Sequence, residues 1–328
     1  MIDEKKQILS DANYEKVVAE MASFVSKAVS APLTKNDSDR MSSEETYTAS
    51  LLDLCKLIAV FLEWCQTSHH EEQFSLTLNI FFCLLSQCFK LMNRIVCADD
   101  VLVWGFNSPF LWRIKEEEIH SLYKSNIRQN HCEIAVGTGL FLSQVVSKIC
   151  KMMTLIDLNE NSLKSCEERI QHCCFEKKKG DEDYIINAVH VPKISKIVAD
   201  ITTPPGEDSA LKSLNGTFQS VGANFLFHCL HGANLRDKMH AFQKCAALLD
   251  PEEGLFFGST ILGKEIVKDK ERVGTNTMKV LNDFNDWGVF GILGDSYGDL
   301  KYILQELFED VDLRRVGYCG VWRASRQK

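Results

Sequence analysis

Apolar positions change their rhythm about a third of the way along the chain. Up to about residue 98 they follow helical spacing without strand alternation, in two long runs, LLDLCKLIAVFLEWC from Leu51 and LTLNIFFCLLSQCFKLM from Leu76. Each run is shorter than the roughly 20 residues that cross a bilayer, and each is dotted with polar groups such as Asp53, Lys56, Glu63, Asn79, Gln87 and Lys90. Packed helices are therefore expected there rather than membrane spans. From residue 99 the short runs HCEIAV, MTLIDL, KIVAD, FQSVGANFLF and GLFFGSTI alternate with segments long enough for crossover helices, such as NENSLKSCEERIQHC and NLRDKMHAFQKCAALLD. This predicts an α/β fold, a mostly parallel sheet with helices on both faces. Ligands of such sheets sit beyond the carboxyl ends of the strands, where the strand order reverses. The expected organisation is a helical N-terminal segment, residues 1–98, serving as lid, docking or dimerisation element, and a ligand-binding domain over residues 99–328.

Composition narrows the partners. The 328 residues are 45% hydrophobic and 25% charged with a formal net charge of -8, which suits a soluble globular chain and opposes a general affinity for phosphate backbones. A small-molecule partner is expected, not nucleic acid or membrane. The start, MIDEKKQILS, has no apolar h-region, so a cytoplasmic location is expected. Thirteen cysteines are scattered without a CxxC pair, and the tight group of Cys166, His172, Cys173 and Cys174 lacks paired ligand spacing. They read as reduced, mostly buried thiols rather than metal ligands.

The stretch HCEIAVGTGLF carries the candidate chemistry. Glu133 to Val136 are expected to form the first strand, Gly137-Thr138-Gly139 the turn, and LFLSQVVSKIC the helix that follows. A dinucleotide fingerprint would need a third glycine where Leu142 stands, and no GK[ST] follows to make a P-loop. S-adenosylmethionine needs neither, since it carries no phosphate. It presents an ammonium, a sulfonium, a ribose diol and an adenine amine, all of which suit carboxylates. Acids stand where they are needed: Glu133 in the first strand, Asp157 ending TLID and Asp200 ending KIVAD. Any one alone reads better as a cap or solvated loop residue, and it is the ordered set that points to the cofactor.

With WGFNSPFLWR, SLYKSNIRQNHCEIAVGTGLFL, LIDLNENSL, VADIT, ANFLFHCLHG and LFFGSTILG in order from Trp104 to Arg323, the chain resembles the class I S-adenosylmethionine-dependent methyltransferases. Within them it is similar to the small-molecule branch of fungal and bacterial secondary metabolism. The resemblance implies a Rossmann-like sheet of seven strands with a reversed last strand, VDLRRVGYCGVWRAS forming the terminal hairpin. It places Glu133, Gly137 and Gly139 at the methionine end of the cofactor, Asp157 at the ribose and Asp200 at the adenine amine, with Ala135, Thr138, Leu158 and Ile201 alongside. Asn224 would line the edge shared by cofactor and acceptor, and Trp112, Arg113 and His231 would face the acceptor. Two positions depart from the family, Ala135 where glycine is usual and His231 where proline often stands. Methyl transfer is an in-line displacement governed by alignment, and His228 is the candidate general base if the acceptor must lose a proton, or else a packed core histidine. Trp104, Phe106, Phe110 and Trp112 would wall an acceptor or form hinge packing. Three readings stay open: methyl transfer to an O, N or S atom of a small organic acceptor, methylation of protein or nucleic acid, and a cofactor-binding or interaction protein without turnover. The two N-terminal runs are expected to pack on the methyltransferase domain or on a second copy as a homodimer.

Overall fold

The computed structural model describes residue 100 and residues 103–145, 150–176, 191–203 and 209–328. The two N-terminal apolar runs, and most of the insert FEKKKGDEDYIINAVHVPK expected as an exposed loop, lie outside them. Residues 108–328 form a compact unit. Seven strands build its sheet: β1 (Asn130–Ile134), β2 (Met152–Asp157), β3 (Lys193–Val198), β4 (Ser220–Asn224), β5 (Leu255–Ile261), β6 (Phe308–Val316) and β7 (Cys319–Gln327). Their order is β3-β2-β1-β4-β5-β7-β6. The first five run parallel, and β7 runs antiparallel to both its neighbours, so the reversed final strand and terminal hairpin stand as the resemblance implies.

Helices α1 (Glu116–Asn126), α2 (Leu140–Val145), α3 (Glu160–Glu176), α4 (Ser209–Lys212), α5 (Met239–Ala247), α6 (Gly263–Lys268), α7 (Lys270–Asp286) and α8 (Tyr297–Leu307) complete the unit. Helix α1 follows from its sequence. Glu116, Glu117 and Glu118 complement the dipole of its first turn, and Ile119, Leu122, Tyr123 and Asn126, spaced three and four apart, form its buried face. Central strand β5, LFFGSTI, is buried at every position, as a strand covered on both faces must be. On one face an aromatic cluster fills the core, with Phe227 stacked on Phe242 and both close to Trp322, while Phe256 bridges Trp322 and Phe308. Among the described residues no helix is long and apolar enough to cross a membrane.

The outer strands differ in character from the middle. β3 carries Lys193 and Lys196 on a mostly exposed edge, and β6 carries Glu309, Asp310, Asp312, Arg314 and Arg315 among its nine residues.

Strand ends move from their expected places for a local reason. The first strand was expected over Glu133 to Val136, but it stops at Ile134 because Ala135 takes a left-handed backbone, φ 58°. The fourth stops at Asn224 because Phe225 does the same, φ 52°. The third ends at Val198, leaving Asp200 two residues beyond it.

Candidate active site

Strand order reverses between β1 and β4, so the crevice beyond their carboxyl ends is where a ligand is sought. The turn after β1 is built to leave it open. Gly137 has φ 53°, and a side chain there would meet nothing within 4 Å, so its backbone borders free space. Gly139 has φ 71° and is closed in from behind, since a methyl group would lie 2.6 Å from Cys166 Sγ of α3. Arg169 of the same helix donates to the Thr138 carbonyl at 3.0 Å, fastening the turn to α3.

The acids expected at the strand ends are all at this edge or behind it. Asp157 closes β2 and accepts from the Asn159 backbone N–H at 2.8 Å. Burial raises its pKa against the pull of the N–H groups of Asn159, Gly137, Val136 and Leu158, and among the described residues no cation pairs with it. Leu158 next to it is 66% exposed, an apolar side chain left uncovered, whereas Ile201 is buried. Asp200 uses Oδ1 for both the N–H and the hydroxyl of Thr202, each at 2.7 Å, which leaves Oδ2 for another donor.

Glu133 sits behind the edge, 1% exposed. Its Oε1 accepts from the Tyr123 hydroxyl at 2.5 Å, and its Oε2 lies 3.0 Å from His131 Nε2. His131 Nδ1 in turn meets Ser220 Oγ of β4 at 2.9 Å. Gly222 makes the room, for a methyl group there would overlap the Glu133 carboxylate. Asn224, at the end of β4, accepts from the Ser259 hydroxyl at 3.1 Å, and its buried Nδ2, which meets no acceptor at full hydrogen-bond geometry among the described residues, is close enough to the Tyr123 hydroxyl to lower its pKa against the effect of burial.

Past β4 the chain turns at Phe225 into a short 3-10 helix, Phe227–Cys229, which carries His228. The ring is 5% exposed, edge-on to Phe225 and Phe290 at centroid distances of 5.6 and 4.8 Å, and its Nδ1 has no partner among the described residues. Burial, aided by the charge of Lys238, pushes its pKa down to about 3, so the imidazole is neutral at any ordinary pH. Phe290 also packs against Trp112 and Phe284, and Phe284 against the exposed Trp287, extending the aromatic wall outward. Beneath it, buried Lys238 donates to the carbonyls of Phe227 at 3.0 Å and Gly291 at 2.6 Å and to Asp295 at 2.6 Å.

The remaining expected acceptor residues are Arg113 and His231. Arg113 donates to the Arg272 carbonyl at 3.2 Å and lies over the Tyr318 ring at 5.3 Å, and both contacts anchor the chain to α7 and the hairpin. His231 is exposed, one turn past the His228 wall.

No family model matches the chain. Curated relatives do. Demethylluteothin O-methyltransferase of Streptomyces thioluteus is 29% identical over 227 residues, 69% of this chain and 84% of its own length. O-methyltransferase NEC2 of Pyricularia oryzae is 24% identical over 70% of this chain and 88% of its own length. N-methyltransferase vrtF of Penicillium aethiopicum is 28% identical over 63% and 73%. By relationship, the chain is a methyltransferase. Among solved structures, N-methyltransferase NodS of Bradyrhizobium japonicum WM9 with S-adenosyl-L-homocysteine matches at TM-score 0.39 and 15% identity, covering 64% of this chain and 86% of that one. The fold of the methyltransferase rests instead on its own strand order and on the reversed β7.

The departure at Ala135 gains a physical meaning here. An L-residue with a side chain in the left-handed region carries roughly 1–2 kcal/mol of strain, which glycine lacks. Replacing Ala135 by glycine in this methyltransferase is expected to raise stability to urea by about 0.5–1 kcal/mol, after the entropy glycine adds to the unfolded chain. Valine at the same place should lower it. An unchanged midpoint in both variants would mean that the turn relaxes freely.

Tyr123, His131, Phe290, Trp287, Lys238 and Asp295 escape sequence reading. Several of their partners are distant in sequence, as with Lys238 and Asp295, 57 residues apart, and His131 and Ser220, 89 apart. The one available signal was Tyr123 in SLYKSN, on the apolar face of α1 yet carrying a hydroxyl that needs a partner when buried.

Proposed function

We propose that the chain binds S-adenosylmethionine in the β1/β4 crevice and transfers its methyl group to an O, N or S atom of a small organic acceptor lying against the Phe225–His228–Phe290 wall. The observation that carries this is Asp157, a half-buried carboxylate with no cation among the described residues, at the end of β2 beside the open Gly137 turn. Its two oxygens suit a ribose diol as a bidentate acceptor. Oδ2 of Asp200, without a donor among the described residues, suits an exocyclic adenine amine, and uncovered Leu158 suits the face of the base. O- and N-methyltransferases among the relatives support transfer to a heteroatom of a small molecule.

When bound, the cofactor supplies a methyl carbon already activated by a sulfonium leaving group. The residues supply alignment and a dry site. The aromatic wall excludes water from the line of attack, and the Lys238 bonds hold its two parts in register. A ring whose conjugate acid has a pKa of about 3 is a poor proton acceptor, so His228 acts in this reading as a neutral hydrogen-bonding contact rather than a general base. The free buried thiols suit a reducing compartment, the cytoplasm. Residues 1–98 are assigned as a separate helical element, a lid, dock or dimer contact, on their sequence pattern alone.

S-adenosylhomocysteine is expected to raise the melting temperature while NAD and NADP do not, because a ligand held only by the native state stabilises it. Asp157→Ala should then weaken S-adenosylhomocysteine by about 1.5–3 kcal/mol in calorimetry, the scale of hydrogen bonds to charged groups. Binding of NADP in place of S-adenosylhomocysteine would overturn the cofactor assignment, and an unchanged dissociation constant in the variant would remove Asp157 from the site.

A further inference from the structure

A hydroxyl must lose its proton on the way to becoming a methyl ether, and a side chain that takes the proton must be able to hold it. His228 is not built for that. Its ring is 5% exposed and edge-on to both Phe225 and Phe290, and among the described residues no carboxylate or carbonyl meets either ring nitrogen, so nothing would hold an imidazolium in place. The titratable groups around it do not fill the role either. Lys238 is a cation, and its partner Asp295 is fully buried and bonded to it. Cys229, on the same short helix, turns its thiol to the Phe225 carbonyl at 3.9 Å. His231 is exposed one turn on.

The same features suit an oxygen that has already given up its proton. With Nδ1 protonated, the neutral ring offers a buried N–H that no group among the described residues takes. Lys238, whose charge opposes a proton on the ring, favours an anion beside it. Attack by an anion on a sulfonium also cancels both charges, a change that a wall of phenylalanine rings favours more than water does. A neutral amine would instead leave a cationic product, and the wall holds no carboxylate to receive its proton.

We propose that the methyl acceptor is an acidic hydroxyl, a flat enol or carbonyl-conjugated phenol that reaches the Phe225–His228–Phe290 wall already ionised, and that His228 donates a hydrogen bond from Nδ1 to its oxyanion. This rests on the small-molecule methyl-transfer reading. The oxygen lone pair makes the new O–C bond, the S–C bonding pair goes to sulfur, and the proton has already passed to solvent.

Two measurements on the full chain test it. In the first, 4-nitrophenol is titrated across pH with protein and S-adenosylhomocysteine, and its phenolate absorption is read. The anion should bind about tenfold tighter than the neutral phenol, so the bound phenol ionises about one pH unit lower than in solution. His228→Phe should abolish that shift with S-adenosylhomocysteine still bound, and His228→Asn, whose amide nitrogen can stand near the place of Nδ1, should keep most of it. In the second, with S-adenosylmethionine saturating, hydroxyls ionised at neutral pH should be methylated at least tenfold faster than simple phenol, whose pKa is about 10. The pH at which kcat/KM levels off should move with each acceptor's own acidity. An inflection at one fixed pH for every acceptor would place the proton on a protein group and overturn the proposal, with His228→Asn and His231→Ala showing which. A preference for amines would overturn it too, as would acidic hydroxyls neither bound nor methylated by protein that holds S-adenosylhomocysteine. If S-adenosylhomocysteine itself does not bind, the cofactor reading falls first and this inference with it.

Discussion

Replacing Lys238 by methionine is expected to lower folding stability by about 3–5 kcal/mol, the cost of leaving one member of a buried ion pair behind. Both side chains are fully buried, and burial pushes Asp295 up to about 6 and Lys238 down, in each case against the attraction between them. Removing both charges together should therefore hurt less than removing one. Lys238→Met with Asp295→Leu is expected to recover most of the loss, short of about 1–2 kcal/mol for the Phe227 and Gly291 carbonyls left without their donor. Urea midpoints for the two single variants and the double would decide it. A single variant as stable as the parent would show that water reaches the pair and that the ion pair adds nothing.

Gly222→Ala is expected to be nearly as severe, about 3 kcal/mol or more, for a different reason. The added methyl group must displace the Glu133 carboxylate, and Phe257 Cζ at 3.2 Å blocks retreat on one side. Moving Glu133 breaks its bonds to Tyr123 and His131 and leaves three polar groups buried without partners. Cofactor affinity should fall along with stability. The same substitution in a Glu133→Ala background should cost far less, since the obstructing group is gone; equal costs in both backgrounds would show that the methyl group meets something other than Glu133.

These two sites show what one sequence can and cannot disclose. The five parallel strands and the first turn are legible because their signals are local: an apolar run, then glycines or an acid, then a crossover helix. Asp157 follows from the same grammar, as the last residue of β2, whereas Asp200 lies two residues past the end of β3. Strand ends are less legible. Nothing in the letters EIAV or ANFLF announces that Ala135 and Phe225 take left-handed backbones while their N–H groups still bond across the sheet, to Ile156 O of β2 and to Ser259 O of β5. Lys238 reads as one more charged residue in LRDKMH, and only the packing of the 291–295 loop over it makes it buried. Trp112 was expected as an aromatic facing an acceptor or as hinge packing, and its contact with Phe290 joins segments that no local pattern relates.

The outer strands have a consequence of their own. An open sheet ends in two rows of peptide groups that another chain could extend, and a fold assembled from parallel, distant strands leaves those rows bare while it forms. Here β6 interrupts its row with Glu309, Asp310, Asp312, Arg314 and Arg315, and β3 sets Lys193 and Lys196 along its own. A strand docking on either would have to strip water from several charges at once. The sheet's borders thus act as gatekeepers against aggregation, a safeguard for the nascent chain that is separate from any task of the crevice at its centre.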